Sequence, residues 1–261
     1  MQKRQLDREQ YFEEQSYTTE KYVIPYIGGL MQITAGCKVV EIGCGDGGNL
    51  KPFLDRGCLV TGIDLSDWKI LQAEKLFENH PLKANLQLIN KNIYEIKEDN
   101  NYKFDLVVLR DTLEHIPNQD LFLEHLKLFL RPNGKVFIAF PPWRMPFGGH
   151  QQMCQSNFLS ILPYFHIFPN ATYRFILKLF GESQSLIDGL LEVKKTGISI
   201  QEFQQIVFKR CYKIEKQTYY LINPNYEIKF KLKPRILPDI LNIPHIRDFF
   251  VTALYAVISL K

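Results

Sequence analysis

The sequence lacks the features that define several large classes of protein. None of its apolar runs reaches the roughly 18 residues of a membrane-spanning helix, and residues 1–8 are polar, without the apolar stretch of a signal peptide. Its net charge is only +4, and the basic residues are spread along the chain, whereas nucleic-acid-binding proteins concentrate them on one surface. We therefore expect a cytoplasmic protein with no transmembrane segment and no nucleic-acid partner.

The spacing of the cysteines argues against two further classes of protein. The cysteines form no C-x-x-C pair, and an odd, scattered set argues against a disulfide framework and against a cysteine-bound structural metal. We expect reduced thiols, as in a cytoplasmic protein, and the sequence predicts no metal site. The five cysteines are Cys37, Cys44, Cys58, Cys154 and Cys211.

The most informative segment that is present combines an acidic residue with three alternating glycines. Glu41 closes an apolar run, and Gly43, Gly45 and Gly47 follow at every second position. Glycine tolerates positive φ angles and lets the backbone approach a ligand closely. No Gly-Lys-Ser/Thr follows, so the segment is not a P-loop. The acid suits a nucleoside cofactor that carries an ammonium group and no pyrophosphate; a plain strand–turn–helix corner is the alternative.

Apolar strands alternate with helices over about 110 residues, which predicts a parallel sheet with helices on both faces. Ligands bind such sheets where the carboxyl ends of the strands meet. Polar residues follow the first four strands at this edge, so we expect them to converge on one rim. The predicted strands are residues 39–42, 58–64, 86–93 with its turn, 104–109 and 135–140. The polar residues are Glu41, Asp64, Asn92 and the pair Arg110 and Asp111.

Together these segments resemble the class I S-adenosylmethionine-dependent methyltransferases of the type 11-like, small-molecule branch. The resemblance covers residues 36–142, with the motifs in the family's order. It implies a Rossmann-like α/β fold, with a seven-stranded, doubly wound sheet, an antiparallel last strand and a helical insertion or cap. It also implies S-adenosylmethionine as the cofactor and S-adenosylhomocysteine as its product. The motifs lie at residues 39–49, 61–64, 104–108, 113–116 and 130–135.

For the methionine end of the cofactor, the resemblance implies three groups of contacts. The glycine turn would cradle the methionine part and the edge of the ribose, and Glu41 would lie near the amino group, directly or through water. The backbone around Arg110 and Asp111 would line the same end. The direction of the Arg110 side chain, toward the cofactor or toward the acceptor, stays open. The residues of the turn are Gly43, Cys44, Gly45 and Gly47.

For the ribose and the adenine, the resemblance implies contacts from the second and third strands. Asp64, with Leu65 beside it, would take the two ribose hydroxyls, and Asn92 and Ile93 would flank the adenine. The family often has aspartate where Asn92 stands. The amide of Asn92 still offers a donor and an acceptor to the edge of the adenine.

Two histidines are candidates for catalytic residues. His150 follows Gly148-Gly149, where a sharp bend after a strand end would bring it to the rim as a general base or as a contact to the acceptor. A loop histidine that caps or packs is the alternative. His115 lies in a Leu-Glu-His-Ile element that is common to the resembled family, and packing or hydrogen bonding near the site is its alternative role. We expect Glu114 to cap or pair at the start of the next helix.

The chain divides into four predicted parts. Residues 1–35 indicate an N-terminal helical lid, with simple packing on the sheet as the alternative, and residues 36–142 form the cofactor-binding core. Residues 143–209 form an insertion that would cap the acceptor, and residues 210–261 hold the strands that complete the sheet. Aromatic and aliphatic residues crowd 158–180 and would cover a hydrophobic pocket, form a dimer face or touch a membrane.

Helices and strands are also predicted after residue 180. Helices are expected at 186–191 and, with Ser199 as N-cap, at 199–208, and strands are expected at 212–222, 226–233 and 249–260. In the second of these strands three lysines would share one face, either as a solvated edge or as a site for an anionic acceptor or a membrane surface. The lysines are Lys229, Lys231 and Lys233.

The sequence thus predicts a cytoplasmic S-adenosylmethionine-dependent methyltransferase that acts on a small molecule. The apolar insertion favours O-methylation of a hydrophobic or aromatic metabolite. One alternative is a sugar or nucleotide-sugar methyltransferase, in which His150 and Arg144 would be polar contacts to the acceptor. Another is an inactive cofactor-binding partner subunit. Peripheral membrane contact and the oligomeric state stay open.

Overall fold

A computed structural model describes residues 7–96 and 102–261, and this part of the chain contains one mixed β-sheet. The first six residues of the predicted N-terminal lid lie outside the described residues. The strands are β1 (Lys38–Ile42), β2 (Leu59–Asp64), β3 (Leu86–Asn90), β4 (Phe104–Arg110), β5 (Leu130–Phe140), β6 (Tyr212–Ile222), β7 (Arg235–Ile236) and β8 (Ala253–Leu260). They lie side by side in the order β3-β2-β1-β4-β5-β8-β6-β7.

The pairing of the strands confirms the Rossmann-like α/β class with an antiparallel last strand. β1 to β5 run parallel to one another, and β8 is antiparallel to both β5 and β6. The sheet of the described residues has eight strands instead of seven, because Arg235–Ile236 adds a short edge strand to β6. The strand predicted from residue 249 begins at Ala253, since a 3₁₀ turn at Arg247–Phe249 precedes it.

The order of the strands reverses beside β1. β2 and β3 continue the sheet on one side of β1, and β4 and β5 continue it on the other. A crevice therefore opens at the carboxyl ends of β1 and β4, where ligands of doubly wound folds bind. Successive residues of these strands enter different hydrophobic cores: Val39 and Leu106 pack on one face, and Val40 and Val107 on the other. Burial on both faces explains why the strands are almost continuously apolar.

The helices cover both faces of the sheet and form the insertion. The predicted Ser199 cap is confirmed, since Ser199 forms a capping box with Glu202 at the start of α9. At the start of α4, the Ser66 hydroxyl accepts a hydrogen bond from the Lys69 N–H. Within the described ranges no helix is long and apolar enough to span a bilayer. The helices are α1 (Arg8–Thr18), α2 (Ile24–Gly28), α3 (Lys51–Asp55), α4 (Asp67–Leu76), α5 (Gln119–Leu126), α6 (Asn157–Ile161), α7 (Asn170–Leu179), α8 (Gln184–Thr196), α9 (Ile200–Lys209) and α10 (Asn225–Phe230).

The segment predicted as a strand at 226–233 is a helix instead. The Asn223 side chain accepts a hydrogen bond of 3.0 Å from the Asn225 N–H and so begins the turn that leads into α10. The helix ends at Lys231, whose φ angle is 59°. The prediction that three lysines alternate on one strand face is therefore wrong. These are Lys229, Lys231 and Lys233.

Helix α1 packs directly on the glycine turn. The ring of Phe12 meets that of Phe77 edge to face, with 5.3 Å between the ring centroids. A Cβ atom on Gly48 would come within 2.5 Å of the Phe12 carbonyl oxygen, so the helix and the turn are in backbone contact. Arg8 adds an ion pair of 3.1 Å with Asp46. That this helix opens and closes as a lid stays a prediction.

We expect Gly48→Ala to lower the free energy of unfolding by about 1–3 kcal/mol, because the added methyl group would overlap the backbone of α1. Gly189→Ala is the matched control. Gly189 lies within α8, and no atom lies within 4 Å of an added Cβ. Because alanine has a better helix propensity than glycine, this substitution should raise the free energy of unfolding by up to about 1 kcal/mol. Urea denaturation measures both changes. Equal free energies of unfolding for Gly48→Ala and the wild type would show that α1 is not held against the turn.

Candidate active site

Glu41 lies near the carboxyl end of β1 and is fully buried. Its Oε1 accepts a hydrogen bond of 2.6 Å from the Asn49 side chain, whereas its Oε2 has no hydrogen-bond partner among the described residues. Burial raises the pKa of Glu41 to about 8, against the opposing effects of Asn49 and of the Arg110 charge. An unpaired buried acceptor is costly, so this oxygen indicates a ligand that brings a donor.

Both terminal nitrogens of the buried Arg110 side chain donate to protein acceptors. Asn49 is one of these acceptors, and it therefore bridges the Arg110 guanidinium and the Glu41 carboxylate. The sequence left the direction of Arg110 open, and the structure turns it toward α1, the glycine turn and α10. Nη1 donates to the Gln15 carbonyl at 3.3 Å, the Thr19 hydroxyl at 3.0 Å and the Asn49 side chain, and Nη2 donates to the Asn225 side chain.

The glycines of the turn have the positive φ angles expected of them. The angles are 75° at Gly43, 56° at Gly45 and 84° at Gly47, and Cys44 between them is buried. A Cβ on Gly43 would lie 2.7 Å from the Thr112 side chain, so that glycine is required for packing. At Gly45 the nearest atom is 4.0 Å away. Gly45 therefore borders open space, where a ligand can approach the backbone.

Asp64 ends β2 with its carboxylate fixed against the turn. Its Oδ2 accepts a hydrogen bond of 2.8 Å from the Gly45 N–H, and its Oδ1 accepts one of 2.9 Å from the Ser66 N–H. Each oxygen keeps a further lone pair that can accept a hydrogen bond from a ribose hydroxyl. Leu65 follows and is 72% exposed, so an apolar side chain stands beside this carboxylate.

The residues predicted to flank the adenine follow β3. Asn92 accepts a hydrogen bond of 3.1 Å from the Tyr94 N–H through its side-chain oxygen, and Ile93 is buried. β3, β2 and β1 are parallel neighbours, so Asn92, Asp64 and Glu41 lie along one edge of the sheet. The structure thus brings the predicted cofactor contacts together, and their binding of the cofactor stays a prediction.

The two predicted catalytic histidines lie against each other. The ring centroids of His115 and His150 are 5.0 Å apart, and the rings are tilted by 42°. His115 ends a 3₁₀ turn that follows β4, and His150 lies in the loop after β5. β4 and β5 are parallel neighbours, and their carboxyl ends meet here. The pair therefore stands at the same edge of the sheet as the predicted cofactor contacts.

Desolvation is the main cause of the shifted pKa values of both histidines. It lowers the pKa of His150 to about 4 and also lowers the pKa of His115, while the Asp111 carboxylate raises both. Neutral rings with a low pKa are weak general bases, although their nitrogens can still accept a hydrogen bond or act as ligands. Asp111 is exposed at the end of β4 and also raises the pKa of Glu41, so it lies within electrostatic reach of both groups.

Glu114 was expected to cap or pair at the start of the next helix, and this expectation is wrong. Asn118 caps α5, because its side chain accepts a hydrogen bond of 3.1 Å from the Leu121 N–H. Glu114 is buried instead, and burial raises its pKa well above the usual range. Its Oε2 makes no hydrogen bond to any residue that the structure describes.

The insertion has a hydrophobic core of its own, so its apolar residues fall into two sets. The buried set holds α6, α7 and α8 together and consists of Leu159, Phe165, Tyr173, Leu177, Ile187 and Leu190, with Cys154 and Leu191. The exposed set includes Phe158, Ile161, Phe168, Phe175, Leu179 and Phe180. An open apolar surface therefore remains on the insertion after its own core has formed.

The model of a methyltransferase-domain family matches residues 18–172. This match extends over more than half of the chain, and the chain therefore belongs to the methyltransferase-domain family. It has the class I fold of S-adenosylmethionine-dependent methyltransferases, as the sequence predicted.

Solved structures of methyltransferases share this fold at low sequence identity. Magnesium protoporphyrin IX methyltransferase from Synechocystis PCC 6803, with bound S-adenosylmethionine, is 14% identical at a TM-score of 0.55, over 100% of this chain and 85% of that chain. The plantazolicin methyltransferase BpumL, with a triazolic desmethylPZN analog and S-adenosylhomocysteine, is 15% identical at a TM-score of 0.57, over 98% of this chain and 88% of that chain. These structural similarities show the fold of this chain.

Curated relatives include two ubiquinone biosynthesis O-methyltransferases. The protein from Coxiella burnetii (strain RSA 493 / Nine Mile phase I) is 30% identical over 109 residues, which are 41% of this chain and 45% of the relative. The protein from Pasteurella multocida (strain Pm70) is 28% identical over 127 residues, which are 44% of this chain and 51% of the relative. The chain thus spans about half the length of the curated relatives it matches.

We expect Arg110→Ala to lower the free energy of unfolding by about 3 kcal/mol or more, because it leaves several buried acceptors without a donor. Arg131→Ala is the matched control, since Arg131 forms a partly exposed ion pair of 3.0 Å with Asp105. Loss of this ion pair should lower the free energy of unfolding by about 1 kcal/mol or less. Urea denaturation compares the two variants. A loss for Arg110→Ala no larger than that of the control would contradict the central role of the buried guanidinium.

Proposed function

We propose that this methyltransferase transfers the methyl group of S-adenosylmethionine to a hydroxyl oxygen of a hydrophobic or aromatic small molecule. The observation that carries the cofactor part is the buried Oε2 of Glu41, which lacks a partner among the described residues. An ammonium group is the donor that this oxygen lacks, and its positive charge would favour the ionised carboxylate. The residues present therefore fit the amino group of this cofactor.

The remaining contacts of the cofactor follow from groups whose positions the protein fixes. The Asp64 carboxylate, held by two backbone N–H groups, would accept hydrogen bonds from the ribose hydroxyls, and the open backbone at Gly45 would admit the ligand. S-adenosylmethionine supplies a methyl group that is already activated on a sulfonium. The protein then has to align the acceptor oxygen and exclude water.

The acceptor is proposed from the neighbourhood of the histidine pair. His115 and His150 can hold a hydroxyl group by hydrogen bonds to their ring nitrogens. The exposed apolar residues of the insertion offer a surface for a hydrophobic remainder of the acceptor. Oxygen as the methylated atom is supported by the curated relatives, which are named ubiquinone biosynthesis O-methyltransferases.

The raised pKa of Glu41 predicts that the affinity for the cofactor depends on pH. Glu41 has a pKa of about 8 in the free protein and must lose its proton to pair with an ammonium group. Binding therefore releases a proton, and the affinity for S-adenosylhomocysteine should rise from about pH 6 to pH 8, by up to roughly tenfold per pH unit, and then level off. Calorimetric titration in buffers of different ionisation enthalpy measures both the affinity and the proton release.

Glu41→Gln is the matched variant for this measurement. It should bind S-adenosylhomocysteine more weakly, without the pH dependence, because the amide neither titrates nor pairs with a cation. The histidines do not account for a titration near pH 8, since the pKa of each is lowered. Wild-type affinity that does not change between pH 6 and pH 8 would remove Glu41 from the cofactor site.

Methyl transfer from labelled S-adenosylmethionine tests the acceptor. We expect label in phenolic or other hydroxylated apolar compounds, and label only in sugars or amines would contradict the proposal. His150→Ala should lower the turnover by about a hundredfold or more while it leaves the affinity for S-adenosylhomocysteine unchanged, because His150 is proposed to contact the acceptor and not the cofactor. His245→Ala, which removes an exposed histidine elsewhere, is the control. Equal turnover of His150→Ala and the control would exclude His150 from the mechanism.

A further inference from the structure

Three side chains that can each ligate a metal converge at the carboxyl ends of β4 and β5. Potential ligand atoms of Glu114, His115 and His150 all lie within 4.8 Å of one another. Glu114 and His115 are neighbours in the 3₁₀ turn after β4, whereas His150 comes from the loop after β5. Their convergence therefore depends on the pairing of two strands and is not a property of a single turn.

One oxygen of the Glu114 carboxylate lacks a partner that would explain its burial. The residue is only 5% exposed, and its Oε2 makes no hydrogen bond within the described part of the chain. A buried polar group left unsatisfied costs about 1–3 kcal/mol. A cation bound by this oxygen would remove the cost, and two imidazole rings that can share the cation stand next to it.

His150 is held in place by a strained and closely packed loop. Its φ angle of 55° is in the left-handed region, which costs a non-glycine residue about 1 kcal/mol or more. A Cβ on Gly148 would lie 2.2 Å from the Trp143 carbonyl oxygen, and one on Gly149 would lie 2.2 Å from the Cβ of His166. The loop thus has no space to relax. Strain that the surrounding structure enforces in this way is typical of functional sites.

We propose that Glu114, His115 and His150 bind one divalent first-row transition-metal ion. Two imidazole nitrogens and one carboxylate oxygen suit ions such as Mn²⁺, Fe²⁺, Co²⁺ or Zn²⁺ and leave coordination positions open. Mg²⁺ and Ca²⁺ prefer sites built from oxygen ligands. The site is distinct from the proposed cofactor contacts at Glu41 and Asp64, and it lies at the same edge of the sheet.

The open coordination positions give the ion a role in methyl transfer. This role is the second part of the proposal, and it rests on the proposed function. A hydroxyl group bound to such an ion would have a lowered pKa and would release its proton to water at neutral pH. Its oxygen would then form the bond to the methyl carbon as the sulfonium–methyl bond breaks and S-adenosylhomocysteine leaves. An acceptor with two neighbouring oxygens, such as a catechol-type phenol, would fill two positions. His115 and His150 would then act by holding the ion.

Metal binding can be measured on the whole chain without cofactor or acceptor, so it does not depend on the proposed function. The protein is treated with a chelator, freed of it and titrated with Mn²⁺, and the electron paramagnetic resonance signal of the free ion reports binding. Mn²⁺ is the chosen probe because it has little affinity for thiols, and all five cysteines are free. Wild type and the control His245→Ala should bind one equivalent.

His115→Ala and Glu114→Gln should each weaken Mn²⁺ binding by at least about tenfold. His115 is exposed, so its variant should keep the circular dichroism spectrum and the S-adenosylhomocysteine affinity of the wild type, which separates loss of a ligand from loss of the fold. Unchanged Mn²⁺ affinity in both variants would overturn the metal site. So would a folded wild type that binds no stoichiometric Mn²⁺.

Methyl transfer tests the second part separately. The metal-free enzyme should turn over at least about a hundredfold more slowly than the Mn²⁺-loaded enzyme, and added Mn²⁺ should restore the rate. Full activity of the metal-free enzyme would overturn the role of the ion while leaving the proposed methyl transfer intact. Absence of methyl transfer in both forms, with Mn²⁺ bound as expected, would instead contradict the proposed function and leave the metal site standing.

Discussion

The buried Arg110 guanidinium is the interaction on which the rest of the site depends. A guanidinium is removed from water at a cost of several kcal/mol unless its donors are paired, and its acceptors here come from the N-terminal helical segment, the glycine turn and α10. Asn49 extends this network to Glu41. The Arg110 charge also opposes the effect of burial on the pKa of Glu41. The packing of three distant segments and the ionisation of the proposed cofactor acid are therefore coupled through one side chain.

Those parts of the fold that the sequence predicted have a local signature. Apolar strands that alternate with helices, acids at strand ends such as Asp64, and serine caps such as Ser199 can each be recognised within one element. The partners of Arg110 have no such signature, because Asn49 and Asn225 look like ordinary turn residues in their local context. The same limit explains α10, where a tertiary hydrogen bond and the Asn223 turn prevail over an alternating pattern that favours a strand.

The candidate site shows the same division between local pattern and packing. The sequence predicted His150 at the rim and His115 near the site. The structure brings their rings into contact, because β4 and β5 are parallel neighbours. The burial of Glu114 was not predictable, since it depends on packing around the turn that carries it. In α7, likewise, Tyr173 is buried and Phe175 is exposed, whereas composition alone made both residues equal candidates for a pocket wall.

The family match and the structure suggest how the acceptor is selected. The family model ends at residue 172, near the start of α7, so most of the insertion lies beyond the part of the chain that the family shares. The Glu114–His115–His150 cluster lies within the matched residues, with two of its members after β4 and the third in the loop that leads from β5 into the insertion. An activated methyl donor needs little more than a well-placed nucleophile. Under the proposed function, selection would depend on which acceptor oxygen can reach the cluster while the apolar remainder of the acceptor rests on the insertion, and the proposed ion would favour acceptors with paired oxygens on a hydrophobic skeleton.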